Sequence, residues 1–432
     1  FYTGPVSSIA NFQEVMAKND PSFNGIAGSL TSNIFLKTEF FASIIKNLFL
    51  FIPIITMGLI SREANNGTNL LLNSSPVSLR KIILGKYLGI MLYNLLLVLI
   101  VVVFLATGFF NIKHVDYGPL LSAALGFYLL VCAYSAIGLF MSSLSTYQVV
   151  SALSSFTAIF VLSRIGELWQ RYDFVRDLTY FLSLQNRTIK MLSGLLVTKD
   201  VIYFILVTFM FVAFTFIKLR NNRESKPWYV KTGRYLAILA VVLAIGYTAS
   251  LPVITGYWDT TATKRNTIHP KTQNILREFG DSTLEITLYT NLLGAGLDLG
   301  MPEMRNAAYL SNLWEPFLRF KPDIQFKYEY YYDNDPSAND SALYKGFPGK
   351  TLEEIATETA DVFDAGLSMF KSPEEMHKTI NLQPEGYRLV LQVKYQGRTT
   401  FLRTFDDPYF WPDETNINAA FKKVLGTKMP KI

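Results

Sequence analysis

Residues 82–109 read IILGKYLGIMLYNLLLVLIVVVFLATGF, and beyond Lys86 the run carries no charge. A helix that crosses a bilayer needs about 20 mostly apolar residues. In lipid such a run satisfies its backbone polar groups by itself, whereas in water every side of it would need covering. Working outward, five further apolar stretches occur: Phe40–Ile60, Leu120–Leu144, Val149–Leu162, Val201–Leu219 and Tyr235–Val253. One of them alone fits a buried soluble helix; six together do not. Val149–Leu162 is short and reaches spanning length only if it starts near Thr146, so a buried or re-entrant helix is its other reading. Beyond Trp258 the sequence reads as an ordinary water-exposed domain. The fold class expected is an α-helical polytopic membrane domain followed by an α/β extracytoplasmic domain.

Composition agrees. Of the 432 residues, 50% are hydrophobic and only 17% are charged, against about 25% charged in a soluble chain. A disordered protein is excluded. The formal charge of +6 is explained by basic residues flanking spans, since cytoplasmic loops collect Lys and Arg; no nucleic-acid partner is expected. The single cysteine, Cys132, lies in an apolar run and can form neither an intrachain disulfide nor a zinc site.

Lys218, Arg220, Arg223, Lys226, Lys231 and Arg234 crowd the link between the last two spans, opposed by Glu224 alone. That link is expected to be cytoplasmic. Alternation then puts Ser61–Lys81 inside, and Asn111–Gly118, Ser163–Asp200 and everything from Pro252 onward outside. The basic residues of the outer segment, such as Arg171 and Arg187, are explained by an interfacial helix. Residues 1–39 are polar and already outside, so an upstream span, absent from this sequence, is expected. The end after Leu425 also reads as the interior of a longer polypeptide.

The inner loop reads SREANNGTNLLLNSSPVSLRKIILGK over Ser61–Lys86. Leu70–Leu72 are apolar, Asn73–Ser75 form a turn, and Pro76 fits the first turn of a helix. Two readings stay open: a docking element for a soluble partner, or an interfacial helix joining two spans. The set Glu63, Gly67-Thr68, Leu71-Leu72, Pro76-Val77-Ser78 and Gly85-Lys86 resembles the loop of type-2 ABC transporter permeases, in particular the gliding-motility type. Pro53–Met57 and Gly138–Leu144 followed by Gln148 share the likeness, which covers roughly residues 1–219. The resemblance implies an ABC ATPase subunit as partner, a homodimer or paired permease in the membrane lipids, and a bacterial inner-membrane location with the C-terminal domain periplasmic. It also implies that Glu63, Gly67, Thr68, Leu71, Leu72, Pro76 and Arg80 meet the ATPase.

The second half resembles the auxiliary extracytoplasmic subunit of the same transporters through Asp259, Thr261, Lys264, Arg265, Thr267 and Tyr289. The organisation expected is therefore a permease domain over 1–219 with its first span missing, a flexible cytoplasmic linker over 220–234, a span over 235–257 and an auxiliary domain over 258–432. Within that domain the pattern predicts helices at Lys271–Phe279, Met301–Phe320, Leu352–Ala365, Pro373–Thr379 and Asn416–Leu425. Strands are predicted at Leu284–Tyr289 and Ile324–Tyr332, and a hairpin of Leu389–Tyr395 and Thr399–Phe405 turns at Gln396-Gly397. Tyr328, Tyr330 and Tyr332 share one strand face, read as a buried sheet face.

No catalytic constellation, cofactor site or metal site is predicted, and ATP hydrolysis is expected in a separate chain. Gly349-Lys350-Thr351 lacks the upstream glycine of a phosphate loop. His114, His269 and His377 lack acidic partners at ligand spacing and read as surface or capping residues. Asp333, Asp335, Asn339 and Asp340 lack the glycine and glutamate of a calcium loop and read as a solvated turn. Lys46, in the first run, reads as a snorkelling cation near the outer end. The function expected is a membrane permease subunit of an ATP-driven exporter with a fused outer domain, linked to gliding motility and to an envelope protein. The alternative is a non-transporting membrane scaffold.

Overall fold

The structure, a computed structural model, describes residues 11, 14–16, 18, 40–68, 76–109, 115–167, 179, 182–251, 254–334, 340–403 and 411–426. Leu70–Ser75, His114, Asp335 and Asn339 lie outside the described residues, as do the side chains of Lys46 and Asp340. The chain forms two compact units that divide between Asn266 and Thr267.

The first unit is helical. It contains α1 (Phe40–Thr56), α2 (Ser61–Asn65), α3 (Leu79–Phe109), α4 (Tyr117–Leu144), α5 (Gln148–Arg164), α6 (Leu184–Leu192), α7 (Thr198–Arg223) and α8 (Trp228–Ala249). Among the described residues five helical segments are long and apolar enough to cross a membrane, the first running Asn47–Asn65. The stretch expected to be short forms α5, an apolar helix of 17 residues. At 1.5 Å per residue it is about 25 Å long, at the lower end of what spans a bilayer.

α4 is the centre of this unit, and α1, α3, α5, α6 and α7 pack on it. Its small residues explain the close approach. A Cβ added to Gly138 would sit 2.0 Å from Thr56 Oγ1 on α1, so only hydrogen fits there. Polar side chains tie the helices as well: Asn94 Nδ2 donates to Ser135 Oγ at 2.8 Å, and Ser122 Oγ donates to the Met191 carbonyl at 2.7 Å. On α3, by contrast, Leu84, Leu88, Leu92, Leu96, Ile100 and Val103 are exposed at helical spacing, the stripe a bilayer covers.

The ends of these helices fall into two groups. Loop 57–68, the start of α3, the end of α4 and the end of α7 meet at one end. At the opposite end a two-stranded antiparallel ribbon joins β1 (Leu195–Val197) to β2 (Tyr257–Asp259), beside the start of α4. The link between α7 and α8 differs from the flexible tether expected. α7 continues to Arg223 and α8 begins at Trp228. Glu224 binds Arg220 and Arg234, each at 2.6 Å, and Arg234 also donates to Asn221 at 2.7 Å. The charges read as a linker's are the clasp of a helical hairpin.

The second unit is α/β. Its main elements are α9 (Pro270–Glu278), β3 (Glu285–Asn291), a ten-residue π-helix α10 (Arg305–Trp314), β4 (Gln325–Tyr331), α11 (Leu352–Val362), α12 (Pro373–Thr379), β5 (Val390–Tyr395), β6 (Arg398–Arg403) and α13 (Glu414–Leu425). The sheet order is β4-β3-β5-β6, with β3 and β4 parallel and the other pairs antiparallel. One face buries Ile286, Leu288, Leu391, Val393 and Leu402 against Phe279, Trp314 and Phe421. Starts are set by caps: His269 before Pro270, and capping boxes Thr351/Glu354 and Ser372/Glu375. The helix expected over Met301–Phe320 is present as one helical stretch from Pro302 to Leu318, whose middle, α10, takes π-type hydrogen bonding; Pro316, which has no N–H to donate, lies just beyond that middle.

Candidate functional site

Loop 57–86 carries the residues singled out from the sequence. α1 ends at Thr56, and the chain turns before α2 begins at Ser61. That break frees backbone groups inside the membrane unit, where each unpaired one is costly. Ser142 of α4 repairs it. Its hydroxyl oxygen accepts from the N–H of Ile60 and of Ser61, both at 3.0 Å, and donates to the Met57 carbonyl at 2.8 Å. Lys86 of α3 completes the junction, with Nζ 2.5 Å from Glu63 Oε1 and 2.7 Å from the Leu59 carbonyl. The loop is thereby fixed to the roots of α3 and α4.

These residues border a cavity of about 380 Å³ at the ends of four helices. Its lining mixes apolar Ile60, Leu79, Ile83 and Leu219 with charged Glu63, Lys86, Lys218 and Arg223. Outside it, Arg220, then Arg234, holds the Glu224 carboxyl down to about 2, so the clasp of the α7–α8 hairpin keeps its charge down to strongly acidic pH.

The expected contact residues are not all brought together. Glu63 enters the cavity wall. Thr68 Oγ1 donates to the Glu63 carbonyl at 3.3 Å. Gly67 has a left-handed φ of 73° and open space around it. Arg80 lies over the Phe216 ring at 5.6 Å. Pro76 is in a bend rather than a helix, since α3 begins only at Leu79. Leu71 and Leu72 are outside the described residues. Lys86 and Ser142 both lie in the stretches that carry the resemblance, Gly85-Lys86 and Gly138–Leu144, but neither was assigned a role there; their bonds to Glu63, Leu59, Ile60, Ser61 and Met57 come from the fold.

A second polar centre lies at the opposite end of the same unit. Thr261 donates to Asp259 Oδ1 from its N–H at 3.0 Å and from Oγ1 at 2.6 Å. The Asn266 N–H donates to Oδ2 at 2.8 Å, and Lys264 Nζ reaches the Asp259 carbonyl at 2.7 Å. Burial pushes the Asp259 carboxyl up, and these donors more than offset it, leaving it below its ordinary value. The loop they fold is fastened to its neighbours: Thr260 donates to the Gly194 carbonyl, Asn266 to that of Ser193 and Ala262 N–H to Asp116. The spaced residues Asp259, Thr261, Lys264 and Arg265 are thus a structural knot on the membrane unit.

In the second unit His377 has the acidic partner its spacing did not suggest. Its Nε2 is 2.6 Å from Asp333 Oδ2 and 3.3 Å from the Tyr387 hydroxyl. Asp333 is buried rather than part of a solvated turn, and Asn291 bridges its backbone to that of Tyr387. β3, β4 and the loop after α12 bring these residues together across sequence distances that no motif spans. Lys350 pairs with Glu358, and Thr351 caps α11. Among the described residues no group of three or more His, Cys, Asp or Glu could hold a metal ion.

These features define a multi-pass helical membrane protein with an appended α/β unit. Residues 5–169 match the family model described as ABC-2 family transporter protein. The match supports a type-2 ABC permease, a membrane component of an ABC transporter, and with it an ABC ATPase as partner. No curated protein and no solved structure matches the chain.

Proposed function

We propose that this chain is the permease subunit of an ATP-driven exporter of the bacterial inner membrane, with loop 57–86 cytoplasmic and the α/β unit periplasmic. The observation that carries the reading is the junction of Glu63, Lys86 and Ser142, which makes the loop one body with the roots of α3 and α4. A push on the loop moves both helices, which is what a separate ATPase requires of its membrane partner. The chain itself contributes no catalytic group and no cofactor. Two permease halves would pair around the transport path, and the outer unit would couple them to a substrate or an envelope protein. The likeness of both halves to gliding-motility components supports mechanical work at the envelope as the use of that coupling.

The test is copurification of an ABC ATPase with the full chain from its native cells. Leu71→Glu with Leu72→Glu charges the apolar part of the loop, where each Leu buried in a partner contributes roughly 1.5–3 kcal/mol. The double variant is expected to insert normally and to lose the ATPase. Undiminished copurification at equal expression sinks the docking role.

A further inference from the structure

We infer that the cavity at the ends of α3, α4 and α7 is a binding site for one anionic phospholipid, its headgroup phosphate on Lys218 and Arg223 and its upper acyl chains on the apolar side chains of the lining. Three observations lead there. The first is the mixed lining of the cavity. Apolar Leu79, Ile83 and Leu219 line it together with the cations Lys218 and Arg223. A free anion uses only the cations; an amphiphile with a charged end uses both. At about 380 Å³ the space is of the size that holds a small ligand.

The second observation is the charge balance. Glu63, the acid in the wall, is engaged by Lys86. Glu224, the nearest acid on the α7–α8 link, is engaged by Arg220 and Arg234. Among the described residues Lys218 forms no ion pair, so the wall carries an excess of positive charge that an anion would neutralise. Basic pockets between spans are where anionic headgroups bind.

The third is depth. Trp228 and Tyr229, at the start of α8, are 77% and 63% exposed. α8 is clasped to the end of α7 by Arg234 with Asn221 and Glu224. Exposed Trp and Tyr at a span's end mark the headgroup level. Lys218 and Arg223, on the neighbouring helix end, stand beside that layer, within reach of a lipid that never leaves the membrane.

The experiment uses the purified full chain in neutral detergent, titrated with phosphatidylglycerol and read by native mass spectrometry. One bound phosphatidylglycerol per chain is expected, with phosphatidylcholine binding much more weakly and millimolar inorganic phosphate failing to displace it. Lys218→Gln with Arg223→Gln is expected to weaken binding at least about tenfold. Lys218→Arg with Arg223→Lys is expected to retain it. Lys226→Gln with Lys231→Gln, which removes the same charge outside the cavity, is expected to leave it unchanged. Leu219→Asn spoils the apolar lining while adding no charge and keeping both cations, and is expected to weaken binding independently if the Gln pair fails to fold. Wild-type affinity in the folded Gln pair overturns the site. So does an equal loss in the Lys226/Lys231 variant, which would reveal diffuse attraction, or displacement by inorganic phosphate, which would reveal a free-anion site.

Discussion

Ser142 is one hydroxyl on which two backbone N–H groups depend. Replacing it with alanine leaves the N–H groups of Ile60 and Ser61 without the partner they have now, while the Met57 carbonyl keeps the Ser61 hydroxyl. A buried group that loses its hydrogen bond costs about 1–3 kcal/mol. Ser142→Ala is therefore expected to lower the melting temperature of the detergent-solubilised protein measurably; an unchanged melting curve would show that water or neighbouring groups take over. Asp259 is the corresponding residue at the opposite end. Its carboxyl titrates below its ordinary value, so folding favours the ionised form. The stabilisation is fully present above the unfolded-state value near 3.9 and is lost as pH falls through the lower folded-state value. Asp259→Asn should be clearly less stable than wild type at pH 7, and the gap in melting temperature should shrink toward pH 3. A gap independent of pH would rule out the carboxylate charge as its source.

At the level of elements, the hairpin β5–β6 was legible to within a residue or two. The dipeptide Gln396-Gly397 takes positive φ at both positions, 46° and 79°, the two-residue turn whose twist suits a hairpin. Gly397→Val forces a β-branched residue into that conformation. It should destabilise the α/β unit by about 1–2 kcal/mol, read as a lower denaturant midpoint, whereas Gly397→Asn should be nearly neutral. Spans were legible for the same reason: each is written in one continuous run of residues. The break of α1 before Ser61 was not, because its repair comes from Ser142, 81 residues away. Nor was the pairing of His377 with Asp333, 44 residues apart. The helix expected over Met301–Phe320 is there from Pro302 to Leu318, but the π-type hydrogen bonding of its middle was not legible, because apolar periodicity does not report which carbonyl an N–H reaches. In the candidate site Glu63, Lys86 and Ser142 all stood in the stretches that carry the resemblance, but that they meet was not legible, because Glu63 and Lys86 are 23 residues apart and Ser61 and Ser142 are 81.

For the whole molecule, the α/β unit has its own sheet and its own core. The buried Phe279, Trp314 and Phe421 all come from within it. Residues 267–432 are therefore expected to fold as a soluble fragment, with dispersed amide resonances and a cooperative melt. Starting the fragment at Trp258 adds the Asp259 loop, whose hydrogen bonds to Ser193, Gly194 and Asp116 belong to the membrane unit. The longer fragment gains nothing in stability, and a melt that required it would move the boundary upstream.

The ribbon of β1 with β2 makes the chain severable. α8 is held to the membrane unit at one end by Leu195–Val197 against Tyr257–Asp259, and at the other by Arg234 against Asn221 and Glu224. Neither hold depends on the peptide bonds of Ser225–Pro227. Covalent continuity there supplies only a high effective concentration, so two polypeptides, 1–224 and 225–432, are expected to find each other when made in one cell and to purify together. Weakening both holds, with Thr260→Val at the ribbon and Arg234→Gln at the clasp, should release the second piece from the first while leaving the uncut protein assembled. A single gene is then one of two ways to encode the same object.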